Sequence, residues 1–229
     1  MHAQTVEATD WWARSRGATS ATWIANYQRS VQSRQRTVIA DILKTLGPIE
    51  TVLEVGCHCG PNLMRLATEL PHLRMIGIDA NAEAIRAGRA WVAEARRQDQ
   101  IQLNVGRFPE ATASLATGSF DVVLSCYTVA YIAPVDLPAA LYELGRLATR
   151  AVVIAEPMAA GPQSQGEKRA LSGYSEWAHP YQEASRWVGS LRGMTTTIVP
   201  VSPPVERLAA MCVLVRPDAF CGIIASSMP

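Results

Sequence analysis

The stretch Val52-Leu53-Glu54-Val55-Gly56-Cys57-His58-Cys59-Gly60-Pro61-Asn62 decides how the rest of the chain is read. A short, mostly apolar strand runs into a glycine-bearing loop. Gly56 permits a tight turn and a close approach to the backbone, because it carries no side chain. Gly60 stands at the entrance of a helix, and Pro61 suits the first helical turn, where its missing N–H costs nothing. The helix that follows has Leu63, Leu66, Ala67 and Leu70 on one face. Open α/β sheets bind ligands where such strands end.

Outward from this stretch, short apolar runs alternate with amphipathic helices. Residues 75–78 form a second strand that ends in Asp79. Ala84, Ile85, Gly88, Trp91, Val92 and Ala95 mark the next helical face. Strands follow at 101–105 and 120–124, then a helix with Leu137, Leu141 and Leu144, then a strand at 151–155. These strands are too uniformly apolar to have a wet face, so they predict a parallel sheet covered on both sides. Residues 160–177 are rich in Gly, Ser and Gln and read as a loop or insertion. A short helix is expected at 182–191. Strands at 195–201 and 209–215 are joined only by Ser202-Pro203-Pro204, so they must pair antiparallel. Upstream, Val38, Ile39, Ile42, Leu43 and Leu46 share a helix face, and Gly47-Pro48 stops it. Before that helix, Trp11, Trp12, Trp23 and Tyr27 lie among polar residues and suggest one or two short helices. With no repeat or strong linker, the chain reads as one unit, a helical cap at 1–47 on an α/β core at 51–217.

The 229 residues are 48% apolar, enough for one well-buried core. A net charge of +1 gives no general attraction to nucleic acid or anionic membrane. Arg14, Arg16, Arg29, Arg34 and Arg36 could still form a local basic patch. No apolar run approaches the ~20 residues that cross a bilayer. Residues 1–10 lack the apolar core of a signal peptide, so a cytoplasmic location is expected. Five cysteines, Cys57, Cys59, Cys126, Cys212 and Cys221, are too few and too apolar in setting for a disulfide framework. Cys57-His58-Cys59 lacks the second ligand pair of a structural zinc site, so no metal is expected.

Two nucleotide-bearing cofactors suit a glycine loop followed by an acid at the next strand end. A carboxylate at Asp79 can accept hydrogen bonds from both hydroxyls of a ribose. A nicotinamide dinucleotide also needs G-x-G-x-x-G, so that its pyrophosphate can rest on bare backbone. Here the three places hold Gly56, His58 and Pro61. S-adenosylmethionine has no pyrophosphate, and its amino-acid end carries an ammonium that Glu54 could help to hold. The run from Glu54 to Gly60 resembles the first motif of class I S-adenosylmethionine-dependent methyltransferases, acid-x-Gly-x-Gly-x-Gly, with His58 in place of the middle glycine. Gly77-Ile78-Asp79-Ala80-Asn81 is similar to their second motif, whose acid holds the ribose. Phe120-Asp121-Val122-Val123-Leu124-Ser125 looks like the strand that borders their transfer site.

The resemblance implies a seven-stranded, mostly parallel sheet in the order 3-2-1-4-5-7-6, its last strand antiparallel, with helices on both faces. It implies S-adenosylmethionine as cofactor and a transferase activity. The cofactor residues it marks are Glu54, Gly56, Cys57, His58, Gly60, Asn62, Asp79, Ala80 and Asn81. Ser125, Cys126 and Tyr127 join them at the fourth strand, although Cys126 would also serve as a small core residue. Where the family often has an acid against the adenine, this chain has Gly106-Arg107-Phe108, which leaves backbone groups, Arg107 and Phe108 for that contact. The family's segment before the first strand commonly folds over the cofactor, which offers Trp23 and Tyr27 for the acceptor pocket. The insertion offers Tyr174 and Trp177 for another wall. His179 is the candidate general base and Tyr131 a second candidate catalytic group; each has a plain reading, an exposed loop histidine and a buried ring with a wet hydroxyl. The near-neutral charge favours a small-molecule acceptor. An NAD-dependent oxidoreductase and a binding module without turnover are the alternatives.

Overall fold

A computed structural model describes residues 21–157, 167–171, 174–205 and 208–217. Trp11, Trp12, Arg14, Arg16, Cys221 and the side chain of Tyr174 lie outside the described residues.

Helix α1 (Ala21–Arg29) leads through a 3₁₀ turn at Ser30–Gln32 into α2 (Arg34–Lys44). The expected face of α2 is its buried face: Val38, Ile39, Ile42 and Leu43 are all inside. Then come β1 (Thr51–Val55), α3 (Pro61–Glu69), β2 (Arg74–Asp79), α4 (Ala82–Glu94), β3 (Ile101–Val105) and β4 (Phe120–Cys126). The chain continues with α5 (Leu137–Leu147), β5 (Ala148–Ala155), β6 (Glu167–Leu171), β7 (Tyr174–Ala178), α6 (Tyr181–Arg192), β8 (Thr195–Val205) and β9 (Leu208–Val215).

Seven strands form one sheet in the order β3-β2-β1-β4-β5-β9-β8. Counted within that sheet alone, this is the expected 3-2-1-4-5-7-6. The pairs from β3 to β5 are parallel, while β9 runs antiparallel to both β5 and β8. Both faces are covered. Val52, Val122, Leu124 and Val153 pack with Ile39, Leu63 and Ile85 on one side. Leu53, Val123, Val152 and Ile154 pack with Leu137, Leu141, Tyr181 and Val188 on the other. Successive strand residues go to opposite faces, so Glu54 belongs to the side that carries α2 and α3.

Two expectations change. Part of the 160–177 stretch is a hairpin, with β6 pairing β7 from Glu167–Ala178 to Leu171–Tyr174. Its strands are polar and lack apolar alternation, so composition hid them; the Ser172-Gly173 dipeptide between them was the available signal. The strand expected at 195–201 runs on to Val205, with its register against β9 shifting between Pro200 and Val205. Prolines cannot donate to a ladder, and β8 is an edge strand, where that loss is tolerated.

Candidate functional site

β1 ends at Val55 and the chain turns at once. Gly56 takes φ +69° and its N–H donates to the Ile78 carbonyl at 2.7 Å. A Cβ on Gly56 would sit 1.8 Å from Thr128 Oγ1, so the loop after β4 rests on bare backbone here. Gly60, at φ +81°, caps α3, and Pro61 opens that helix. Between them His58 adopts φ +51°, unusual for a residue with a side chain. Its N–H donates to Asp79 Oδ2 at 2.8 Å, and the Asn81 N–H donates to Asp79 Oδ1 at 2.8 Å. The ends of β1 and β2 are thereby locked together. Each carboxylate oxygen keeps a lone pair for a further donor, which suits a diol.

The cavity above this loop measures about 460 Å³ and lies at the carboxyl ends of β1, β2 and β4. Glu54 reaches it from β1 and is buried. The Asn62 amide donates to Glu54 Oε1 at 2.5 Å. Burial pushes the Glu54 carboxyl up to about 8, against the opposing pulls of Asn62 and Arg36. Arg36, from α2, is also buried and lines the cavity. Its Nη1 donates to the Ser30 carbonyl at 3.0 Å and to Ser33 Oγ at 2.8 Å. Three buried polar atoms here have no partner among the described residues: Glu54 Oε2, Asn62 Oδ1 and Arg36 Nε. Buried polar groups are nearly always hydrogen-bonded. Two acceptors and a cationic donor together suit a ligand with both an ammonium and a carboxylate.

A second buried carboxylate shapes the opposite wall. Glu156, just after β5, is fully buried. Its Oε1 accepts from Ser125 Oγ (2.7 Å) and from the N–H groups of Thr128 (2.8 Å) and Val129 (3.0 Å). Its Oε2 accepts from the Ala130 N–H at 3.2 Å. This clamp fixes the turn that brings Tyr127, Thr128, Tyr131 and Ile132 to the cavity. Cys126 also faces the cavity, with the Gln35 amide donating to its sulfur at 2.7 Å. Burial pushes the Cys126 thiol up to about 12, so it stays protonated and acts as a small packing group.

The cavity gathers most of the residues marked in the sequence: Glu54, Gly56, Cys57, His58, Asn62, Asp79 and Ala80 from the first two strand ends. Arg107, Phe108, Cys126, Tyr127, Tyr131, Trp23 and Tyr27 line it as well. Others sit elsewhere. Gly60 lies at the foot of the loop as a helix cap. The Asn81 side chain accepts from the Ala84 N–H and caps α4. Ser125 is spent on Glu156. Neither Trp177 nor His179 lines the cavity. His179 is fully buried, its Nε2 bonded to the Ile132 carbonyl at 2.9 Å, and burial pushes it down to about 4. It thus braces the cavity wall from behind. Gln35, Arg36, Thr128 and Glu156 escaped the sequence reading. Glu156 had a signal of the same kind as Glu54 and Asp79, an acid at the end of an apolar strand. Arg36 had none, because it reads as one more basic residue ahead of an apolar helix face.

Among the described residues, no helix is long and apolar enough to cross a membrane. No curated protein matches the sequence. Among solved structures, the chain is similar to the magnesium protoporphyrin IX methyltransferase of Synechocystis PCC 6803 with bound S-adenosylmethionine. The TM-score is 0.60 and the identity 15%, over 91% of this chain and 94% of that one. It is similar to an amino pentose methyltransferase of Micromonospora echinaspora (TM-score 0.60, 16% identity, 85% of this chain and 96% of that one). An O-methyltransferase family protein of Burkholderia thailandensis has TM-score 0.65 and 15% identity, over 92% of this chain and 63% of that one. At such identities the likeness is one of fold. In sequence, residues 52–150 match the family model described as a methyltransferase domain. That span holds the glycine loop, Asp79 and the whole of β4.

Proposed function

We propose that this chain transfers the methyl group of S-adenosylmethionine to a small-molecule acceptor. The observation that carries the reading is the trio of unpartnered buried atoms, Glu54 Oε2, Asn62 Oδ1 and Arg36 Nε, beside the glycine loop. Glu54 and Asn62 would take the ammonium of the cofactor's amino-acid end, and Arg36 its carboxylate. Asp79, about one loop away, would take the ribose hydroxyls. When bound, the cofactor supplies an electrophilic methyl group on a sulfonium, so the protein's task is alignment and exclusion of water.

The chain's own groups serve that task. Glu156 and His179 hold the 128–132 turn, and with it Tyr131 and Ile132, against the transfer side of the cavity. Trp23 and Tyr27 of α1 close another side. An oxidoreductase using NAD is not favoured: the His58 N–H, in the loop where a pyrophosphate would need free donors, already serves Asp79. The near-neutral charge and the aromatic rings among the cavity's lining residues support a small acceptor over nucleic acid.

The test is to incubate the protein with S-adenosylmethionine labelled in its methyl group and a small-metabolite extract, with protein and RNA fractions in parallel. Label appearing in low-mass products is the expected result. Label confined to RNA or protein would contradict the acceptor class, and no turnover in any fraction would contradict the activity.

A further inference from the structure

His58 holds a conformation that its residue type disfavours. Its φ of +51° lies in the left-handed region, where a side chain crowds the following carbonyl. The methyltransferase motif usually has glycine at this place, which would fit without strain. The side chain that causes the strain packs on an aromatic ring. The His58 ring stacks on Tyr27, with centroids 4.2 Å apart and planes 26° from parallel. Tyr27 in turn meets Trp23, one helical turn earlier in α1, at 5.7 Å and 33°. All three rings line the cavity. Helix α1 has no fully buried residue of its own, so apolar burial holds it only weakly.

We propose that His58 is a latch: its ring docks Tyr27, holds α1 against the cavity, and so sets how fast a bound S-adenosyl ligand leaves. This rests on the reading that the cavity holds S-adenosylmethionine. The residue works in two halves. Its backbone N–H bonds Asp79 and shapes the glycine loop. Its ring stacks on Tyr27 and so joins the loop to α1. It is a positioning residue, acting through the helix and not on the reacting atoms. Strained backbone is kept where the side chain it presents is useful, and here the useful contact is the stack.

The two halves separate experimentally. His58→Asn keeps a residue that tolerates left-handed φ and removes the ring. Tyr27→Leu removes the partner, and Tyr27→Phe keeps the stack. The measurements are the dissociation rate of S-adenosylhomocysteine by stopped flow, and hydrogen exchange over residues 21–32 in ligand-free protein. His58→Asn and Tyr27→Leu should each speed dissociation about two- to tenfold, the range one aromatic pair supports. The double variant should be no faster than either single, because both remove the same contact. Tyr27→Phe should keep the wild-type rate. Exchange at 21–32 should rise in both ring-removing variants, while that of 51–55 stays constant. Unchanged or slower dissociation in His58→Asn overturns the latch, as does simple additivity in the double variant. If wild-type protein binds no S-adenosylhomocysteine, the proposed function fails on its own. The exchange data then still decide, since equal protection at 21–32 in wild type and His58→Asn overturns the latch. If His58→Asn fails to fold, Tyr27→Leu, on a half-buried position of α1, carries both measurements alone.

Discussion

Two acids at neighbouring strand ends are held differently before any ligand arrives. Asp79 has both oxygens engaged by backbone N–H groups, which favour its charge against the burial that raises its pKa. Glu54 has one oxygen on an amide and the other without a partner among the described residues, and burial pushes it up to about 8. Asp79→Ala should therefore weaken S-adenosylhomocysteine binding by ~1.5–3 kcal/mol, the usual loss for hydrogen bonds to a charged group. Unchanged affinity in the folded variant would remove the ribose contact. Glu54 gives a pH signature. Near neutral pH it is mostly protonated when the site is empty, and an ammonium on Oε2 favours the carboxylate. Binding should then expel a proton, and affinity should rise from about pH 6 to about pH 8. Calorimetry in buffers of different ionisation enthalpy reads this directly, and Glu54→Gln should abolish the proton release. Both acids were legible in the sequence because they follow short apolar strands around a glycine loop. Arg36 was not, because its partners Ser30 and Ser33 lie in and just after a 3₁₀ turn that no periodicity reveals.

At the scale of elements, the site depends on how the loop after β4 lies on the loop after β1. Glu156 holds the first by its N–H groups, and Thr128 then sits over Gly56 so closely that no Cβ fits. Glu156→Ala should strip partners from buried donors and destabilise the fold by at least ~2 kcal/mol. In whatever remains folded, S-adenosylhomocysteine affinity should fall, which denaturation followed by titration would show. Gly56→Ala should keep β1 but lose ligand binding, because a side chain at φ +69° meets Thr128. Wild-type affinity in that variant would mean that the two loops are not coupled. The order of strands and helices was readable from apolar runs and helical spacing, including the antiparallel ending. The β6–β7 hairpin was not, since its polar strands lack the alternation that marks a half-buried sheet. The position of His179 was hidden for a related reason: it follows that hairpin, and a histidine beside a stretch that reads as a loop reads as exposed.

Among the described residues, a sheet covered on both faces leaves the cavity at one end lined by the buried polar groups Gln35, Arg36, Glu54, His58 and Asn62. His179 ties this architecture to pH. Burial pushes it down to about 4, from an ordinary value of 6.5. Its ring is neutral in the folded chain and gains a proton on unfolding in that window. A base with a depressed folded pKa contributes stability that is complete above about pH 6.5 and is lost as pH falls towards about 4. Denaturant midpoints across this range should therefore drop on the acid side, and His179→Gln should flatten that part of the curve. An unchanged curve would mean that the ring is not held neutral by the fold. The fold was legible because one glycine loop and its acid fix where a parallel sheet turns its ligand end. The acceptor was not legible, because the cavity's remaining walls come from α1 and the turn after β4, which meet only in three dimensions. Every role assigned to the cavity depends on the cofactor. Titration calorimetry of S-adenosylhomocysteine, with NAD as the control, tests it most directly. The expected result is saturable one-to-one binding of S-adenosylhomocysteine and none of NAD; binding of NAD, or of neither, would contradict it.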